Sequence, residues 1–225
     1  MTELELILTG QSEQHIHWLS KNIGIHHNMV DAYTAMQTSA KLDGIELKIA
    51  SGYRSFSRQL LIWQNKYQGK TTVKDAQGNS VELSTLSDEA KIHAIMLYSA
   101  LPGASRHHWG CDIDVYASNL LAPEQSLQLE PWEYSPTGPL YNLTLWLANN
   151  AHTFGFYFPY DQFRGGVAAE PWHLSYMPIA RQYQQAYNEA LLEKVILDSN
   201  IDNQSVLIAL IPELYQRYIC NVALI

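Results

Sequence analysis

Residues 105–116, SRHHWGCDIDVY, put two adjacent histidines, a cysteine and two aspartates within eight positions. Imidazole, thiol and carboxylate groups stand where an ordinary strand would carry aliphatic side chains. Taken as a strand, residues 109–116, WGCDIDVY, alternate their side chains between two faces. Cys111, Ile113 and Val115 then share one face, and Gly110, Asp112 and Asp114 the other. The first set suits a core, so Cys111 is expected to pack rather than to ligate. The second set needs a reason, because aspartate is a poor strand former. That reason is either a solvated face or a metal.

A zinc ion with catalytic capacity needs three protein ligands and an open position for water. One histidine of the pair and one aspartate supply two ligands. An extended chain lets only one of His107 and His108 enter a small site. The segment EPWH, 170–173, supplies His173 as a third ligand and Glu170 as a general base. Glu-x-x-His is a common spacing, and Pro171 argues against a helix interior there. Its force comes from combination with 105–114.

The elements that must position these groups follow from periodicity and punctuation. Residues 28–42 are predicted as an amphipathic helix stopped by Asp43-Gly44, and 45–55 as a strand running into a polar turn. Helices are expected over 57–68 and from the Ser87 cap to Pro102-Gly103, with an exposed loop or hairpin over 70–85 between them. Residues 117–139 carry four prolines and read as a long loop. A helix over 140–153, a strand over 155–160 and two further helical segments over 178–198 and 203–219 complete the chain. The class expected is α+β, with helices flanking a small antiparallel sheet that carries the metal site.

The 225 residues are 47% hydrophobic and 16% charged, which suits a packed globule. A net charge of −8 argues against a nucleic-acid or anionic-membrane partner. No stretch approaches the roughly 20 apolar residues of a membrane span. The N-terminus lacks the basic and apolar regions of a signal peptide, so a cytoplasmic location is expected. Cys111 and Cys220 give no disulfide framework. Composition leaves the oligomeric state open. His15, His17, His26 and His27 lie upstream of the motifs, and His93 and His152 lie on or near helices. HIHW at 15–18 has the makings of a metal pair but ranks well below the motif site, and His93 and His152 are expected to be structural.

Three segments in this order, SGYRSFSRQ at 51–59, SRHHWGCDID at 105–114 and EPWHLSY at 170–176, resemble the VanY-type zinc D-alanyl-D-alanine carboxypeptidases. That family shares its fold with VanX-type dipeptidases and the hedgehog signalling domain. The resemblance covers about residues 28–178 and implies one domain with a helical extension over 179–225. The family pattern, Ser-x-His-x-x-Gly-x-Ala-x-Asp followed by Glu-x-x-His, falls on Ser105, His107, Gly110, Asp114, Glu170 and His173. It implies one Zn²⁺ held by His107, Asp114 and His173, with His108 turned away and Glu170 as general base. Arg54 would stabilise the oxyanion, and Arg54, Gln59 and Ser105 would read the substrate's terminal carboxylate. Asp112 stands where the pattern has Ala, and is expected to orient a ligand or meet a substrate amine. The activity implied is release of terminal D-Ala from peptidoglycan stem peptides or muropeptides, as a D,D- or an L,D-carboxypeptidase. A cell-wall endopeptidase and a catalytically silent zinc-binding module are the alternatives.

Overall fold

The computed structural model describes residues 1–223. The chain opens with a short helix α1 (Glu3–Leu8), closed by a capping box between Thr2 and Glu5. A hairpin follows, β1 (Ile16–Ser20) paired with β2 (Ile23–His26). Neither element was anticipated. Helix α2 (Val30–Leu42) buries Tyr33, Met36 and Ala40 at the expected period, and the chain turns at Gly44 with φ +78°.

Strand β3 (Leu47–Ser51) leads into helix α3 (Phe56–Tyr67), whose first turn is capped by the Ser55 hydroxyl. The intervening 70–85 segment is less exposed than expected: Val73 and Leu83 are buried, and Lys74 pairs with Ser80. Ser87 caps helix α4 (Asp88–Met96), which ends six residues before Pro102.

The opening motif is not one strand. Arg106–Trp109 form a 3₁₀ turn, ended by Gly110 at φ +68°. A Cβ at Gly110 would stand 3.0 Å from the His26 backbone nitrogen, so the close approach requires glycine. Strand β4 (Asp112–Ala117) follows and is central in a four-stranded antiparallel sheet of order β3-β4-β6-β5. Helix α5 (Tyr141–Asn150) precedes β5, which is only Phe156–Tyr157 rather than the whole 155–160 run. Strand β6 (His173–Tyr176) carries the last motif.

The tail forms three helices, not two. The expected helix over 178–198 breaks into α6 (Met177–Ala186) and α7 (Glu189–Leu197), because Asn188 caps the Leu191 amide. Helix α8 (Gln204–Leu214) continues into a π-turn over Tyr215–Ile219, just after Pro212. Leu192, Ile196, Leu207 and Ile211 of the tail share one apolar cluster with Ile92 and Met96 of α4. From the π-turn onward the tail fastens to the 159–166 segment. Arg217 Nε donates to Gly165 O at 2.7 Å, Asn221 Nδ2 to Arg164 O at 2.7 Å, and the Ala223 amide to Pro159 O at 2.9 Å. Among the described residues no helix is long and apolar enough to cross a membrane.

Candidate metal centre and active site

Asp114 and His173 are directly opposed across the β4–β6 ladder, as are Asp112 and Ser175. Opposed residues hold their Cβ atoms about 5 Å apart, so the sheet register alone brings a carboxylate to an imidazole. His173 Nδ1 lies 3.2 Å from Asp114 Oδ1. His107 reaches the same carboxylate from the 3₁₀ turn, with Nε2 3.3 Å from Asp114 Oδ2. The face carrying both aspartates is buried, not solvated: Asp112 is 0% exposed and Asp114 5%.

Each histidine is fixed through its other nitrogen. His107 Nδ1 donates to Gly52 O at 2.9 Å, which leaves the Nε2 lone pair facing Asp114. His173 Nε2 donates to Asp112 Oδ1 at 2.9 Å, which leaves Nδ1 facing Asp114. His108 uses both nitrogens elsewhere: Nδ1 donates to Arg54 O at 2.6 Å and Nε2 accepts from the Gly103 amide at 3.0 Å. Burial holds its pKa down to about 3. The two histidines diverge because the backbone is a 3₁₀ turn, not because it is extended. Cys111 packs at 0% exposure, and burial pushes its thiol pKa up.

The donor set fits a divalent cation. One atom each from His107, Asp114 and His173 lies within 4.8 Å of the others, and all three residues are buried. Asp114 Oδ1 and His173 Nδ1 have no hydrogen-bond partner. Burial disfavours a charged His173, but the Asp112, Asp114 and Glu170 carboxylates around it outweigh that and raise its pKa well above the ordinary value. The carboxylates that favour a proton there favour a metal cation in its place. Two imidazoles and one carboxylate are a zinc-type donor set.

Glu170 stands beside this set without joining it. The Glu170–His173 turn closes by a hydrogen bond from the His173 amide to Glu170 O at 3.0 Å, and Glu170 Oε2 lies 3.3 Å from His173 Nδ1. The Glu170 amide in turn donates to Tyr160 O at 2.9 Å. Arg54 is clipped to the same turn that carries His107, its amide donating to His107 O at 3.1 Å. Arg54, Ser105, His107, Asp114, Glu170 and His173 all line one cavity of about 350 Å³.

Gln59 sits elsewhere. It is 0% exposed, its Oε1 accepts from Arg54 at 2.8 Å and its Nε2 donates to Ala100 O at 2.7 Å. Its place is behind Arg54, whose aim it sets. Sequence reasoning passed over Arg106. Its guanidinium donates to Asp112 at 2.7 Å, Gln184 at 3.1 Å, Tyr157 at 2.8 Å and Ser175 at 2.9 Å. Ser175 also donates to Asp112 at 3.0 Å. Against the pull of burial, Arg106 and then His173 hold the Asp112 pKa at about 2. The signal was present: an extra acid one register step from a metal ligand needs a cation.

The family model for VanY D-alanyl-D-alanine carboxypeptidase matches residues 21–179, which include every motif above. The chain belongs to that family. A protein of Haemophilus influenzae without an assigned role is 37% identical over 121 residues, 53% of this chain and 92% of its own. VanYB in complex with D-alanine-D-alanine superposes with a TM-score of 0.53 and 26% identity, over 82% of this chain and 90% of that one. A variant of the vancomycin resistance D,D-pentapeptidase VanY in complex with Zn(II) gives 0.52 and 27%, over 84% and 99%.

Proposed function

We propose that this protein is a zinc-dependent peptidoglycan carboxypeptidase, hydrolysing the bond before a terminal D-Ala. The observation that carries the reading is the juxtaposition of the three buried donors with Glu170, 3.3 Å from His173, on one cavity wall. Family membership and the bound dipeptide and Zn(II) of two relatives support it. Zinc held by His107, Asp114 and His173 would supply a Lewis acid for the scissile carbonyl and acidify a water molecule. Glu170 takes that water's proton and returns it to the leaving amine. Arg54, held by Gln59 and Ser51, places its charge toward the developing oxyanion. Arg54 and the Ser105 hydroxyl read the terminal carboxylate, and Gln59 serves by fixing Arg54. Asp112 and Arg106 keep His173 in the tautomer that presents Nδ1.

The test is D-Ala release from a D-Ala-D-Ala-ended peptide and from a tetrapeptide ending in a single D-Ala, with and without chelator. Release that chelation stops and zinc restores is the expected result; the preferred peptide assigns D,D- or L,D-specificity. The C-terminal amides should be cleaved at least about 100-fold less efficiently, about 3 kcal/mol, because the carboxylate-reading groups are left unpaired. Equal cleavage of acid and amide would convert the reading to an endopeptidase.

A further inference from the structure

Among the described residues, one group besides the buried centre brings three metal-binding atoms within 4.8 Å of one another: Glu89, His93 and Glu213. Glu89 and His93 are one turn apart on α4 and share a face. Glu213 comes from the last turn of α8, which packs against α4 through Leu207 and Ile211. A ligand held by all three ties the two helices together.

The imidazole narrows what that ligand is. His93 Nδ1 lies 2.9 Å from the Tyr218 hydroxyl, and the Tyr218 ring stacks 5.8 Å away, so the histidine is oriented from behind. Its Nε2 is left facing Glu213 Oε1 at 3.6 Å, too long for a hydrogen bond. Two donors each about 2.1 Å from a tetrahedral zinc stand about 3.4 Å apart. The His93–Glu213 separation is close to that, and to the 3.2 and 3.3 Å found in the buried centre. An outer partner on one ring nitrogen and carboxylates before the other is the arrangement that presents imidazole to a metal. Glu213 Oε1 also takes Arg217 Nη1 at 3.2 Å. That pair is an exposed contact within one helical turn, worth little and easily given up. Magnesium and calcium favour all-oxygen shells, whereas imidazole suits zinc and its first-row neighbours. Glu89 and Glu213 are exposed and His93 half-buried, so water completes the shell and the ion exchanges freely. The residues after His93, Ala94 to Met96, line the large cavity together with Tyr218 and Ile219 of the tail. A tie at this point therefore fixes one cavity wall to the other.

We propose that Glu89, His93 and Glu213 form a second, exchangeable site for a zinc-class divalent cation, which clamps the tail onto α4. The site stands whether or not the chain is a peptidase. The probe is Zn²⁺ alone, titrated into protein that already carries its buried zinc. Calorimetry should show one further equivalent per chain, absent after desalting. The added zinc should raise Tm and slow amide exchange over residues 211–219. Glu213→Gln and His93→Gln should each weaken this binding at least about tenfold and remove both effects, and Tyr218→Phe should weaken it less. Glu193→Gln, exposed on α7, should change none of the three readouts. His107→Ala should lose the buried zinc and keep the exchangeable one, which separates this site from the catalytic reading. Absence of a further equivalent, one that survives Glu213→Gln, or equal uptake of Mg²⁺ would overturn the site. A further zinc that moves neither Tm nor amide exchange would be an adventitious ion only, and would overturn the clamp.

Discussion

Replacing Asp112 by Ala should damage the protein in two separable ways. Asp112 accepts from Arg106 Nε at 2.7 Å, His173 Nε2 at 2.9 Å and Ser175 Oγ at 3.0 Å, all out of solvent. Removing it strands the Arg106 guanidinium, 5% exposed, without its carboxylate. Breaking a buried pair from one side costs about 3–5 kcal/mol. In a chain of this size that lowers Tm by roughly 2–4 °C per kcal/mol. The second effect falls on the metal. His173 loses the acceptor that fixes its tautomer, and zinc affinity should drop about 10–100-fold, or about 1.4–2.7 kcal/mol. Thermal denaturation of the chelator-treated protein reads the first effect, and competition with a chromophoric zinc chelator reads the second. The double change Arg106→Met with Asp112→Leu should recover most of the stability, since no charge is left stranded, but not the zinc affinity. Asp114→Ala, which removes a donor outright, should weaken zinc more than Asp112→Ala does. The reverse order, or wild-type zinc affinity in Asp112→Ala, would refute the division of labour between the two aspartates.

Three further outcomes are expected. His107→Ala and His173→Ala should each abolish the single zinc measured by elemental analysis; full occupancy in both would dismiss the site. Glu170→Gln should retain zinc and lose about 10²–10⁴-fold in turnover, the usual cost of a missing general base; near-normal turnover would give the proton to another group. Burial holds His15 and His26 at a pKa of about 4, below the ordinary 6.5. The unfolded chain therefore binds protons between pH 6.5 and 4 that the folded chain refuses. Folding stability is full above pH 6.5 and falls as the pH drops toward 4. His26→Gln should flatten that slope by up to about 1.4 kcal/mol per pH unit in urea titrations; an unchanged slope would show that His26 titrates normally.

The helices that announce themselves by caps were legible in the sequence. Ser87 and the Asp43-Gly44 stop mark boundaries that the fold keeps within a residue or two. Boundaries set by tertiary contact were not. The break at Tyr187 lies in a continuous helical pattern and shows only through the Asn188 cap, and β5 shrinks to the two residues that find a partner in β6. Residues 109–116 read as a strand because their alternation is strong from 110 onward. Only the close packing of Gly110 against His26 reveals the turn before it. The separation of His107 from His108 was expected on the wrong backbone. Gln59 was placed at the carboxylate because spacing shows nearness to Arg54 but not which side chain stands in front. Arg106 escaped because a lone basic residue carries no periodic signal; its meaning depends on which acid stands across the fold.

The fastening of the tail to the 159–166 segment bears on how this enzyme can be taken apart. Ala223 holds Pro159, the next residue's carbonyl holds the Glu170 amide, and Glu170 faces His173. The family match ends at residue 179, which invites a cut there for grafting or miniaturisation. Such a cut would leave the ligand shell covalently whole while releasing the strap that sets the height of the general base. The cut segment would also lose Leu192, Ile196, Leu207 and Ile211 from the apolar cluster shared with α4, so the portable unit includes the chain through at least Ala223.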